Sequence, residues 1–254
     1  MGDQQVALVS GASYGLGRAT AERLSADGYA VMLTDITDRV MDTAEELAAS
    51  GAAVAGALAD VRDKASVDEL IEKTVTDLGR IDVVVCNAAA SRSSLTVLEM
   101  TVEDWDQAWA VNVRGALLCV QAAARKMIAA GTKGRFVTIG STAAYRPYPR
   151  RAHYCTTKSA VVAFTRVAAL ELAEYGITVN CVCPGPTATE NMLMMQGGGL
   201  NATEGEEMRA RHAAIPLGVG KPSDIADAVA WFVSPTASHI TGQSLLVDGG
   251  TLLK

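Results

Sequence analysis

Apolar positions along the 254-residue chain fall into two alternating kinds of run. Short β-branched runs read as strands: VALVSG (6–11), AVMLTD (30–35), AAVAGALAD (52–60), IDVVVCNA (81–88), GRFVTIGS (134–141), ITVNCVCPG (177–185) and SLLVDGG (244–250). Several are apolar almost without interruption, the pattern of strands buried on both faces. Amphipathic stretches lie between them, at about 15–27, 38–50, 63–77, 101–129, 153–175 and 223–233. This alternation predicts an α/β fold with one doubly wound parallel sheet of about seven strands, helices on both faces and right-handed crossovers. With no linker and no internal repeat, the chain reads as a single domain over 1–254. One stretch breaks the alternation: PTATENMLMMQGGGLNATEGEEMRARHAAI, residues 186–215. A segment of that length inside a compact domain is usually functional. Met192, Met194 and Met195, with the glycines at 197–199, make it the expected substrate lid. A loop that never closes fits the same letters.

Composition narrows the function. Hydrophobic residues make up 49% and charged residues 20%, which supports a sizeable core and argues against disorder. The formal net charge of -6, with no Lys/Arg block, argues against sequence-independent nucleic-acid binding. Five cysteines without a CxxC pair fit a reducing compartment, so a cytoplasmic location is expected. The three histidines are far apart in sequence, and no metal site is expected. No secretory pattern opens the chain and no apolar run approaches 18 residues, so no membrane span is expected.

Candidate chemistry begins at the first strand's exit. SGASYGLGRA places Gly11, Gly15 and Gly17 as GxxxGxG at the opening of a helix. Glycines let backbone turn sharply and approach a ligand, and a helix N-terminus offers free N–H groups to a pyrophosphate. The same turn could serve helix–sheet packing alone. Asp35 ends the second strand, 18 residues after Gly17. A carboxylate there accepts both ribose hydroxyls of NAD and repels a 2′-phosphate. Tyr14 is uncharged where an NADP site often carries a basic residue. As a turn or cap residue, Asp35 would need no ligand.

Taken in order, these and later motifs resemble the short-chain dehydrogenase/reductase family, from about Val6 to Gly250. SGASYGLG matches its glycine motif, with Ser10 in place of the usual threonine. Asp60 and Val61 in ADV stand where the family frames the adenine. CNAAA matches its NAG segment, with Ala89 replacing the glycine. WDQAWAVNVRG places Asn112 at the family's helical Asn, VTIGS places Ser141 thirteen residues before Tyr154, and YCTTK is the YxxxK motif. CPGPTATE and ITGQSLLVDGG match the segments that follow; Thr187 stands where many members have Val or Ile. The resemblance implies a Rossmann fold and NAD as cofactor. It implies contacts from Gly11, Ser13, Tyr14, Gly15, Leu16, Gly17, Asp35, Ile36, Asp60, Val61, Asn87, Ala88 and Ala89. Tyr154, Lys158, Pro184, Gly185, Thr187 and Thr189 complete that set.

The resemblance also assigns catalytic roles. Tyr154 is the acid/base, Lys158 lowers its pKa and binds the nicotinamide ribose, Ser141 donates to the substrate oxygen, and Asn112 holds a relay water. The magnitudes are sufficient. Lowering a phenol from about 10 by about three units takes roughly 4 kcal/mol. One ammonium at about 4 Å supplies on the order of 4 kcal/mol at an effective dielectric near 20. Taken singly, a Tyr and a Lys at i and i+4 could equally be a solvated pair.

The loop TAAYRPYPRRAH carries Tyr145, Arg146, Tyr148, Arg150, Arg151 and His153 beside Tyr154. It is expected to line the substrate site, with Arg151 as a clamp for a small hydroxy or keto acid or another anion. A solvated loop or a subunit contact fits the same residues. The expected reaction is NAD-dependent interconversion of a secondary alcohol and a ketone. Aldose 1-dehydrogenase, 3-oxoacyl thioester reductase and a non-catalytic NAD sensor are the alternatives. Wide apolar faces on 101–129 and 153–175, with the family's habit of pairing such helices, imply a homo-oligomer, a dimer or a tetramer.

Overall fold

The computed structural model describes residues 4–49, 51–90, 94–190, 206 and 212–253. Seven strands form one sheet in the order β3-β2-β1-β4-β5-β6-β7, every pairing parallel. They are β1 Val6–Ser10, β2 Ala30–Asp35, β3 Val54–Leu58, β4 Val83–Cys86, β5 Arg135–Ile139, β6 Thr178–Pro184 and β7 Ser244–Val247. Each lies inside its expected run; β2 fills its run and the others are shortened where the chain leaves the ladder.

The near-continuous apolar runs are explained by two cores, one on each face of the sheet. Ala7, Val9, Val31, Leu33, Val83, Val85 and Val137 point to one face. There they meet α1 Gly15–Ala26, α2 Arg39–Ala48 and α7 Pro222–Val233 through Leu24, Val40, Ile225, Val229 and Phe232. The intervening Leu8, Met32, Val84 and Phe136 point to the other face. They pack on α3 Lys64–Leu78, α5 Gly115–Ala129 and α6 Ala152–Leu172. Successive strand residues alternate faces, so neither face can be polar.

The expected helix over 101–129 forms, but not as one regular α-helix. α4 Val102–Trp109 passes into a π-helical turn, Ala110–Arg114, before α5. Gly115 N–H donates to the Ala110 carbonyl, five residues back. Such π turns are rare and concentrate at functional sites, and this one contains Asn112.

Candidate active site

The chain reverses its winding direction between β1 and β4. In an open α/β sheet, the crevice outside that point receives the ligand. The turn after β1 packs onto the exit of β4 with no room for side chains. A Cβ at Gly17 would lie 2.2 Å from the Gly11 carbonyl oxygen, and one at Gly11 would lie 2.9 Å from Ala88 Cα. Asn87 Nδ2 donates to the carbonyls of Ser10 (2.8 Å) and Gly11 (2.9 Å). Ser10 Oγ accepts the N–H groups of Asn87 and Ala88, each at 3.1 Å. Above this lock, α1 begins at Gly15, and Tyr14 offers it no side-chain cap. Its first-turn N–H groups suit an anionic bridge such as a pyrophosphate. A glycine cradle a methyl group would fill, beside an uncapped helix start, fits a dinucleotide.

The other expected cofactor residues lie along the same edge of the sheet. Asp35 ends β2, and Asp60 and Val61 follow β3. Leu16 packs against the core, while Ile36 is exposed. Ala89, whose methyl replaces a glycine hydrogen, is also exposed. Pro184 ends β6, Thr187 Oγ1 donates back to the Gly185 carbonyl at 3.0 Å, and Thr189 approaches Gly15.

Two details alter the expectation at the ribose end. Asp35 Oδ1 accepts Ile36 N–H (2.7 Å) and Thr37 N–H (3.4 Å), while Oδ2 accepts Ser13 N–H (3.2 Å). A carboxylate oxygen has two lone pairs, so Oδ2 keeps one site for a hydroxyl and Oδ1 is committed to the turn. The expected double acceptance is therefore reduced to a single one. In addition, Arg39 places its guanidinium 5.4 Å from the centre of the Tyr14 ring and pairs with Glu190 at 3.5 Å. Sequence reading missed this cation, because only the α2 packing brings position 39 beside position 14. Asp60 is held by Arg62, which donates Nε to both oxygens at 2.9 Å, and this hydrogen bonding lowers the Asp60 pKa.

The candidate catalytic residues converge from three elements. Ser141 follows β5, and its Oγ accepts Ala143 N–H at 3.1 Å. Tyr154 and Lys158 lie in the first turns of α6, and Ser141 is placed to help lower the Tyr154 pKa against its burial. Lys158 is buried and donates Nζ to the Ile139 carbonyl at 2.7 Å. Its Nζ stands 5.7 Å from the centre of the Tyr154 ring. Burial lowers Lys158 to about 8.

Within the chain itself, burial is the first influence on Tyr154. Burial raises the Tyr154 pKa, and Ser141 and the Arg151 charge oppose it. The reason is geometric. The Lys158 ammonium is held by the Ile139 carbonyl, 5.7 Å from the centre of the ring, while the ring itself is buried.

Asn112 is buried at the π turn with both Nδ2 hydrogens engaged. Oδ1 accepts Ala90 N–H (2.7 Å), and Nδ2 donates to the Ala90 carbonyl (3.1 Å) and to Thr157 Oγ1 (2.9 Å). The side chain thus ties the β4 exit to α6, and Oδ1 keeps one lone pair free of the bonds just named. Thr157 went unnoticed in the sequence, although it sits inside YCTTK. No one-dimensional spacing pairs position 112 with 157. Thr157→Val should leave one Nδ2 hydrogen unsatisfied and cost about 1–3 kcal/mol in urea denaturation. Thr157→Ser should restore most of it.

The basic loop divides on inspection. Arg150 adopts φ 64 and donates to Ser94 Oγ (3.3 Å) and the Ser94 carbonyl (3.1 Å). His153 is 2% exposed, its ring nitrogens find no hydrogen-bond partner among the described residues, and burial lowers its pKa. Arg151, just before α6, is the basic residue whose charge reaches Tyr154. Of the expected lid, Met192, Met194, Met195 and Gly197, Gly198 and Gly199 lie outside the described residues.

A doubly wound parallel sheet, a glycine turn at its switch point and a Ser–Tyr–Lys cluster beside it define a dinucleotide-type oxidoreductase. A family model described as Enoyl-(Acyl carrier protein) reductase matches residues 11–251. The chain is 35% identical to a Diacetyl reductase [(S)-acetoin forming] of Staphylococcus epidermidis, covering 98% of this chain and 99% of that one. It is 37% identical to an L-2,3-butanediol dehydrogenase of Corynebacterium glutamicum, covering 98% of each. The solved structure of a variant Actinorhodin Polyketide Ketoreductase with NADPH superposes with a TM-score of 0.91 at 32% identity, covering 98% of this chain and 97% of that one. The chain belongs to the short-chain dehydrogenase/reductase family, oxidoreductases that act on CH–OH groups with a nicotinamide cofactor. Among the described residues no helix is long and apolar enough to cross a membrane.

Proposed function

We propose that this protein interconverts a small secondary alcohol and its ketone with NAD. The observation that carries the reading is the buried Lys158, its Nζ 5.7 Å from the centre of the Tyr154 ring, with Ser141 helping to offset the rise that burial gives the Tyr154 pKa. Gly11, Ser13, Tyr14, Gly15, Leu16 and Gly17 would hold the pyrophosphate end. Asp35, Ile36, Asp60 and Val61 would hold the adenosine, and Asn87, Ala88, Ala89, Pro184, Gly185, Thr187 and Thr189 the nicotinamide side. When bound, the nicotinamide supplies the hydride acceptor or donor.

The chain's own residues handle the proton. Tyr154 Oη takes it from the alcohol, or returns it to the ketone oxygen. Ser141 Oγ donates to the same oxygen and stabilises its developing charge. Lys158 orients the ribose and sets a positive field behind the phenol. Asn112 and Thr157 hold the β4 exit and α6 in register.

Asp35 supports NAD, because its carboxylate opposes a 2′-phosphate. Arg39 beside Tyr14 favours the second reading, NADP, since a guanidinium can pair with that phosphate. Asp35→Ala separates them. The NAD reading expects kcat/KM for NAD to fall and that for NADP to rise, each by about tenfold or more. A native enzyme that already prefers NADP would overturn it.

The substrate panel should contain vicinal diols and hydroxyketones, hydroxy acids, aldoses and a 3-oxoacyl thioester. Two relatives above are a diacetyl reductase and a butanediol dehydrogenase, which supports the first class. The Arg151 charge at Tyr154 supports small anions instead. If an acid is the best substrate, Arg151→Ala should raise its KM about tenfold or more. An unchanged KM removes the clamp.

We further propose a homo-oligomer through α5 and α6. Val167 is 52% exposed and Leu170 81% exposed on α6, an apolar patch that a second copy would cover. Leu170→Glu should shift the mass seen by light scattering towards that of one chain.

A further inference from the structure

Cys181 and Cys183 occupy alternate positions of β6, so both side chains face α6. Their sulfurs lie 3.6 Å apart, and both residues are wholly buried among Val161, Val162, Val113 and Ala144. They press on the catalytic strand's end. A Cβ at Gly140 would stand 2.6 Å from Cys183 Sγ and 2.8 Å from Cys181 Sγ, so only a glycine admits them. Gly140 lies between Ile139, whose carbonyl holds Lys158, and Ser141. Tyr145, on the substrate loop, is close enough to influence the Cys183 thiol and is itself 43% exposed.

The spacing selects the chemistry. A direct S–S bond of about 2.05 Å needs Cα atoms within about 6.8 Å. Residues two apart on a strand sit at about 6.6 Å, the upper edge of that range. The sulfurs would also have to close from 3.6 Å within a fully paired strand. A single bridging atom requires far less movement. Two thiolates on a tetrahedral centre with bonds of about 2.3 Å stand about 3.8 Å apart. A structural zinc ion would want four protein ligands, and no group of three or more His, Cys, Asp or Glu gathers among the described residues. A trivalent organoarsenical needs only two thiols, since carbon fills its third position.

We propose that Cys181 and Cys183 form a bidentate thiol site for trivalent organoarsenicals, and that its occupation disables the active centre through Gly140 and Ser141. In the reaction of R–As=O with the pair, two As–S bonds form and the As–O bond breaks. Both thiol protons leave on the oxygen as water, and nothing is oxidised or reduced. Cys181 is the attacking group: hydrogen bonding from Cys183 and the Lys158 charge help to lower it to about 7, near the pH at which thiolates become abundant.

The probe is phenylarsine oxide, added to the full-length native chain. Intact mass should show one phenylarsenic group per chain, and peptide mapping should place it on the segment containing 181–183. Cys181→Ser and Cys183→Ser should each abolish that adduct, while Cys86→Ala, which removes a buried thiol from the other core cluster that also holds Cys119, should keep it. Turnover should fall about 10²-fold on binding, as for an ångström-scale displacement of a catalytic group, and return with 2,3-dimercaptopropanol. Mass and mapping need no substrate, so they test the site even if the proposed reaction is wrong. An adduct mapped to Cys86 or Cys119, or none on the native chain when the unfolded chain reacts, overturns the site. Full occupation with unchanged turnover overturns the link to the active centre.

Discussion

Tyr154→Phe should keep the fold and lose about 10²–10⁴-fold in turnover, the contribution of a positioned acid/base. Only the phenol oxygen is removed, and α6 packs through other side chains, including Val161, Ala168 and Ala169. The lost group is the one that Ser141 meets. Burial alone would make this phenol a poor base, since it raises the pKa. The chemistry therefore requires positive charge brought to it, from Lys158, Arg151 and an oxidised nicotinamide together. Nicotinamide absorbance followed with the best substrate, alongside far-UV circular dichroism, checks the prediction. A phenylalanine variant that retains more than about a tenth of turnover would place the proton transfer elsewhere.

Lys158→Met should separate stability from activity. Burial lowers Lys158 from 10.5 to about 8. The unfolded chain then binds the extra proton between those pH values, so stability climbs with pH across that window. Below about pH 8 the folded protein carries the full penalty of a desolvated ammonium, about 3 kcal/mol. A methionine of similar length removes it, at the cost of about 1 kcal/mol for the unpaired Ile139 carbonyl. The variant should thus gain about 2 kcal/mol in urea denaturation at pH 7. The gain should shrink as pH rises through 8 towards 10.5. Turnover should drop by about 10²-fold or more. A variant less stable than the parent at pH 7 would show that the Ile139 hydrogen bond outweighs the desolvation. A gain would mean that the site holds its charge against the fold's own preference.

The apolar alternation was enough to read the architecture, because a parallel sheet buried on both faces leaves little freedom in where its strands lie. Ala7, Leu8 and Val9 are all apolar, and they serve different cores in turn. The candidate site was legible for a related reason. Gly11, Gly17, Ser141, Tyr154 and Lys158 act through spacings set by single turns or a single helix, and such spacings survive in one dimension. Where contacts cross elements, the letters were silent. Nothing in the chain order links Asn112 to Thr157, Arg39 to Tyr14, or Lys158 Nζ to the Ile139 carbonyl.

By its own letters, then, this chain determined a doubly wound α/β sheet, a glycine turn at its first crossover and a Ser–Tyr–Lys set in family order. These depend on local periodicity and on backbone that only glycine can adopt. The tertiary structure alone decided the π turn that engages the Asn112 amide, the carbonyl that holds the Lys158 ammonium, and the closing of two β6 thiols on Gly140. Each of these depends on the distance between elements far apart in sequence, which packing sets and no local pattern encodes.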